Sequence, residues 1–71
     1  MNRYAIVVES AESNFAACVP DLPGCVATGD TIAEVEAAIK DAIEMHLEGM
    51  AEDGLSIPEP ACQVDYVEVA C

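Results

Sequence analysis

The sequence predicts an α+β fold in which a small β-sheet is covered on one face by a single long helix. Three observations lead to this prediction. Runs rich in β-forming residues occur at 3–9, 15–19 and 25–29, and turn-forming residues separate them. A helix-capping pattern at Thr31 then opens an apolar stripe with helical spacing. A last β-forming run at 64–69 completes the order βββαβ.

The first three strands are expected to form an antiparallel meander. In the first run, Tyr4, Ile6 and Val8 alternate with smaller or polar residues and share one face. The polar segment 10–14 favours a hairpin between the first and second strands. This pattern predicts a sheet with one apolar face directed toward the rest of the chain.

The segment Pro20–Cys25 is predicted to form a tight, stiff turn between the second and third strands. Pro20 and Pro23 fix their own φ angles, and Gly24 supplies a position that tolerates positive φ. Two interpretations stay open at this point. The turn is either a plain connector or a rigid surface feature presented to a partner.

The long helix is predicted to begin at Thr31, to run to about Glu52 and to stop at Gly54. The Thr31 hydroxyl should accept the Glu34 N–H, while Glu34 reaches back to the N–H of Thr31. An apolar stripe that must cover the sheet is formed by Ile32, Val35, Ile39, Ala42, Ile43, His46, Leu47 and Met50. The opposite face carries Glu34, Asp41, Glu44, Glu48 and Glu52.

The segment 56–60 is predicted to be an extended connector, followed by a fourth strand at 64–69. A long helical crossover allows this strand to join the sheet parallel to a neighbour, with right-handed connectivity. We expect residues 1–71 to be one domain without a separate DNA-binding domain. A chain of this size has a thin core, so self-association is expected to bury more apolar surface.

Charge is the most unusual property of the sequence. Fourteen Asp and Glu residues stand against Arg3 and Lys40, which gives a formal net charge of −12. Direct nucleic acid binding is therefore not expected, because it depends on cationic side chains that neutralise phosphates. The charge favours a basic protein partner. An alternative explanation of the negative charge is that the acidic residues only keep an apolar domain soluble.

Few residues suggest catalysis or metal binding. The four cysteines lack Cys-x-x-Cys spacing and have one histidine, His46, which we interpret as a packed helix residue. Glu9 with Asp65 or Glu68 would form a metal site only if the first and last strands are neighbours. Exposed acids are the preferred interpretation, so no catalytic residue, metal or cofactor is predicted. The absence of a leader and of a long apolar run indicates a cytoplasmic protein.

Several segments carry a combined pattern: Tyr-Ala-Ile-Val-Val-Glu at 4–9, Pro-Asp-Leu-Pro-Gly-Cys at 20–25, Gly-Asp-Thr at 29–31, His-Leu-Glu-Gly at 46–49 and Ile-Pro-Glu-Pro at 57–60. Together they resemble the HicB-like antitoxin family over nearly the whole chain. The resemblance implies a partial RNase H-like βββαβ fold and a homodimer or homotetramer. It also implies a non-enzymatic role, in which the domain binds a small basic mRNA-cleaving toxin of the HicA type and masks its active surface.

Acidic side chains would compete with RNA for the cations of such a toxin. The residues predicted to make these contacts are Asp21, Asp30, Glu44 and Glu48. The residues predicted to shape the turn and the helix ends are Pro20, Pro23, Gly24, Thr31, Glu34 and Gly54. The alternatives are an orphan oligomeric scaffold or regulatory domain and, less favoured, a metal-dependent RNase H-like nuclease.

Overall fold

The protein consists of a three-stranded antiparallel sheet with one long helix packed on it. The computed structural model describes residues 2–70. Its regular elements are β1 (Val7–Ser10), β2 (Phe15–Cys18), β3 (Val26–Gly29) and α1 (Ile32–Glu52), and the strands lie in the order β1-β2-β3. The predicted α+β class, the meander and the covering helix are confirmed.

The first strand is shorter than predicted because its partner turns away. Val7 pairs with Cys18 and Ser10 with Phe15. The N–H of Val19 donates to the carbonyl of Cys25 at 3.2 Å, on the β3 side of β2. The next residue that could bond to β1 is Pro20, opposite Ala5, and proline has no N–H. Beyond Val19 the second strand enters the proline turn. Residues 3–6 therefore remain outside the sheet ladder.

The turn between β2 and β3 consists of two successive β-turns. The Leu22 N–H donates to the Val19 carbonyl at 3.0 Å, and the Cys25 N–H donates to the Leu22 carbonyl at 3.1 Å. Pro23 and Gly24, with φ +83° at Gly24, occupy the central positions of a type II turn. Leu22 is only 1% exposed. The turn thus contributes to the core through Leu22, while Pro23 and Gly24 lie on the surface.

The helix begins and ends as the sequence predicts, with one difference. The Thr31 hydroxyl accepts the Glu34 N–H at 3.1 Å, but the Glu34 carboxylate accepts the N–H of Asp30 rather than that of Thr31. At the other end, Gly54 has φ +70°, and the Leu55 N–H donates to the Met50 carbonyl at 2.9 Å. This bond pattern is a Schellman motif, which satisfies carbonyls that the helix leaves unpaired.

The core lies between α1 and the β2–β3 side of the sheet. Its buried residues are Ala17, Val19, Leu22, Cys25, Val35 and Ile39. Gly29 allows close packing here, because a Cβ at this position would lie 2.7 Å from the backbone nitrogen of Val35. Most of the predicted helix stripe faces the sheet, but Ile32 is 52% exposed, so the stripe prediction is wrong at its first residue.

The predicted fourth strand is absent from residues 2–70. The segment 64–69 makes no sheet pairing and is exposed throughout. An extended segment forms a strand only when its backbone groups pair with a neighbouring strand, and the nearest edge, β1, stays unpaired on its outer side.

In the described residues, no helix combines the length and the apolar character needed to cross a membrane.

Candidate partner-binding surface

The carboxylates predicted to meet a partner lie in three different places, and Asp21 already has intramolecular partners. Its Oδ2 accepts the backbone N–H groups of Ala61 and Cys62, each at 3.2 Å. These bonds link the turn to a segment forty residues further along the chain. Mainly the N–H of Cys62 lowers the pKa of Asp21 below its ordinary value of 3.8. The ionised Asp21 carboxylate therefore holds the connector that follows α1 against the turn between β2 and β3.

Asp30 lies between β3 and α1, and its side chain is exposed. Its own N–H donates to the Glu34 carboxylate, so the backbone at Asp30 is held by the helix cap. Two carboxylates at the start of a helix are favourable because the N-terminal end carries partial positive charge. Asp30 thus has an exposed carboxylate on a fixed backbone.

Glu44 and Glu48 lie one turn apart on α1, and both are exposed. Glu44 also borders an apolar groove of about 490 Å³ between the chain before β1 and the helix. We call this the β1–α1 groove; its apolar lining is Tyr4, Ile6, Ile39, Ile43 and Leu47. At about 1.5 Å per helical residue, Asp30 and Glu48 are on the order of 25 Å apart. The exposed carboxylates are thus spread over a distance that only a macromolecular partner could span.

The described residues do not assemble the groups that a metal-dependent nuclease needs. Between residues 2 and 70, no three or more His, Cys, Asp and Glu side chains gather as potential metal ligands. Glu9 lies on β1, whereas Asp65 and Glu68 lie on an unpaired segment, which the metal site would have required as the neighbour of β1. The pairing on which the alternative metal site depended is therefore missing.

The helix histidine is packed as the sequence indicates. His46 is half-buried and borders a shallow depression beside Gly24, Cys25 and Val26. The free thiol of Cys25 is buried, and burial raises its pKa.

Comparison with known proteins places this arrangement in a family. The family model described as "HicB_like antitoxin of bacterial toxin-antitoxin system" matches residues 4–70. The chain belongs to this family. A 14.9 kDa protein of Haemophilus phage HP1, of uncharacterised function, is 41% identical over 56 residues, which cover 79% of this chain and 42% of the phage protein. "Antitoxin HicB 2" of Photorhabdus laumondii is 34% identical over 68 residues, which cover 94% of this chain and 49% of the relative.

Solved structures give the same assignment for this HicB-like chain. One chain of a "HicA3 and HicB3 toxin-antitoxin complex" matches with a TM-score of 0.73 and 27% identity, over 84% of this chain and 70% of that one. The HicB-like chain spans less than half the length of the two curated relatives named above. The chain is therefore a member of a family of antitoxins of bacterial toxin–antitoxin systems.

The sequence did not reveal the intramolecular contacts of two residues in this HicB-like chain, Asp21 and Gly29. Asp21 was predicted to meet a partner, but its two backbone donors lie forty residues away, and no local spacing signals such a contact. Gly29 was noted only within a motif, and its role depends on the closeness of α1. Both contacts join distant parts of the chain, so only the tertiary structure reveals them.

Proposed function

We propose that this chain binds and neutralises a small basic mRNA-cleaving toxin of the HicA type by covering its active or RNA-binding surface. The observation that carries the proposal is the net charge of −12 on a HicB-like fold, with exposed carboxylates along one long helix. A toxin that binds RNA must present cations, and an acidic surface competes with RNA for them. The solved HicA3–HicB3 complex supports a partner of this kind.

Asp30, Glu44 and Glu48 are the proposed contact residues, since all three are exposed. Asp21 is a secondary candidate, because its Oδ2 already accepts two backbone N–H groups. In this proposal the chain acts as one domain in the cytoplasm, as a homodimer or homotetramer. It acts by binding rather than by catalysis, and it does not bind nucleic acid directly.

The decisive experiment uses the HicA-type toxin encoded in the same genome, purified separately, and an RNA-cleavage assay. The natural chain should abolish cleavage at a stoichiometric ratio. The double variant Glu44→Lys with Glu48→Lys should bind the toxin roughly 30- to 100-fold more weakly, because two surface ion pairs of about 1 kcal/mol each are lost and replaced by repulsion. Binding should also weaken as salt is added, since exposed charges are screened.

A matched control changes the net charge equally at sites away from the helix. Glu12 and Glu59 are exposed and lie in the hairpin turn and in the connector, respectively. Changing both to Lys should slow association slightly and leave inhibition nearly intact. If the natural chain leaves RNA cleavage unaffected, the neutralisation proposal is wrong, and the orphan scaffold becomes the better description. If both double variants weaken binding equally, the contact residues are misassigned.

A further inference from the structure

We propose that the C-terminal arm, residues 63–70, exchanges between two copies of this chain and joins their sheets at the β1 edges. The arm has four large apolar residues of types that favour β-strands, and all four are exposed: Val64, Tyr66, Val67 and Val69. Tyr66 is 89% exposed. So much apolar surface in a row indicates a contact with another molecule.

Hydrogen bonds to the rest of the chain hold the residues just before the arm, 58–62, which we call the arm root. The Tyr4 hydroxyl donates to the Pro58 carbonyl at 2.6 Å, and Asp21 accepts the N–H groups of Ala61 and Cys62. Beyond Cys62, the structure of residues 2–70 includes one hydrogen bond in the arm, from the Tyr66 N–H to its neighbour's carboxylate. The arm therefore leaves the body in a set direction with its backbone groups unpaired.

The arm borders an open space along the sheet edge, which we call the edge slot. Residues 5–8 line one side, residues 62–66 line the other, and the cavity between them measures about 490 Å³. β1 is an outer strand, so about half of its backbone groups point away from β2 toward this side. The slot thus separates two extended backbones that both lack a partner.

A second copy of the arm is the occupant that satisfies both sides at once. Within residues 2–70, β2 is paired on both sides, and the outer edge of β3 lies across the sheet from the slot. If the arm of a second copy enters the slot, a two-fold axis places the first arm in the slot of the second copy. The strand order becomes β3-β2-β1-arm-arm-β1-β2-β3, in which each arm lies between the other arm and a β1 edge. The arrangement is closed, because neither copy is left with an unfilled slot.

The distribution of apolar side chains fits this position. In an extended arm, Val64 and Tyr66 lie on one face, and Val67 and Val69 lie on the other. On the helix side, a strand added at β1 would lie beside Ile6 and over the β1–α1 groove, which stays open because α1 packs on β3 and β2. The exposed apolar side chains of two arms would lie at the centre of such an interface, and a stable interface of standard size buries about 1,600 Å² in total.

The first test measures the oligomeric state of the full chain by sedimentation velocity from 1 to 100 µM. A dimer is expected, and Val67→Asp should weaken it at least tenfold. Val26→Asp is the matched control, because Val26 is also exposed but lies on β3, at the opposite edge of the sheet. A monomer at 100 µM, or equal weakening by both variants, would overturn the proposal.

The second test distinguishes arm exchange from other dimers and needs no variant. A mixture of isotope-labelled and unlabelled chains should give NMR contacts between the Tyr66 ring of one copy and the Ile6 side chain of the other. Contacts found only within one copy would show that the arm folds back on its own β1, which contradicts exchange. Added salt should strengthen this dimer because it screens two chains of charge −12. Salt should weaken toxin binding, so the two proposals fail independently.

Discussion

Replacing Gly29 with alanine is expected to destabilise the protein by forcing β3 and the first turn of α1 apart. The added Cβ would lie 2.7 Å from the nitrogen and 3.0 Å from the Cα of Val35, and 3.0 Å from the carbonyl carbon of Glu34. All three are backbone atoms, so no side-chain rotation relieves the overlap. The Val35 N–H also donates to the Thr31 carbonyl at 3.0 Å, and this bond would have to move with the helix.

The size of the effect follows from two opposing terms. An extra carbon in a tightly packed site costs about 1–3 kcal/mol. Replacing glycine in a strand returns about 0.5–1 kcal/mol, because the unfolded chain loses conformational freedom. The difference between the two terms is a loss of about 0–2.5 kcal/mol in the free energy of unfolding, and because the overlap is with backbone atoms we expect about 1–2 kcal/mol. For a domain of this size, that loss corresponds to a fall in Tm of roughly 4–15 °C.

The assay is thermal and urea unfolding followed by circular dichroism, at one fixed chain concentration because self-association changes Tm. Gly49→Ala is the control. Gly49 lies inside α1, and a Cβ there would meet no atom within 4 Å, so this substitution should raise stability by up to about 1 kcal/mol. A Gly29→Ala protein that melts at or above the natural chain would refute the close-packing argument.

Three further predictions concern the turn, the helix cap and the arm root. Gly24→Val should lower Tm, because a β-branched residue is strained at φ +83°, and an unchanged Tm would contradict this. Thr31→Ala should cost about 1 kcal/mol in urea unfolding while Thr31→Ser costs little, since only alanine removes the hydroxyl acceptor. Because its folded pKa is lowered, Asp21 stabilises the arm root above pH 3.8, and this contribution is lost as the pH falls through the folded pKa. NMR titration should show an Asp21 midpoint below 3.8 and loosening of the Ala61 and Cys62 amides over the same range; an ordinary midpoint would disprove the anchoring role.

The helix could be predicted from the sequence because its signals are local. Thr31 and Glu34 lie three residues apart, and Gly54 follows the last helical turn directly. Each signal depends on hydrogen bonds between residues in the same turn, which the spacing alone specifies. The hairpin and the proline turn are local in the same sense. The one error in the cap, the Glu34 contact with Asp30 instead of Thr31, is a shift of a single residue.

The ends of the sheet could not be predicted because β-pairing depends on partners far away in sequence. Residues 3–6 and 64–69 have the composition of strands, and both lie outside the ladder of the single chain. For residues 3–6 the reason is Pro20, which lacks the N–H that would continue the pairing of β2 with β1. For residues 64–69, β-propensity records only that the side chains suit a pleated, half-buried surface. It does not indicate which chain supplies that surface.

The net charge acts in opposite directions on the two associations proposed for this protein. Six of the fourteen acids lie in α1, whereas the arm carries only Asp65 and Glu68. Self-association through the arm therefore brings together the less acidic parts of two chains and leaves the helices free for a cationic partner. Because the Debye length falls from about 30 Å at 0.01 M to about 10 Å at 0.1 M salt, repulsion between two copies should fade over this range. Attraction to a basic toxin should fade as well, so one salt titration should move the two equilibria in opposite directions.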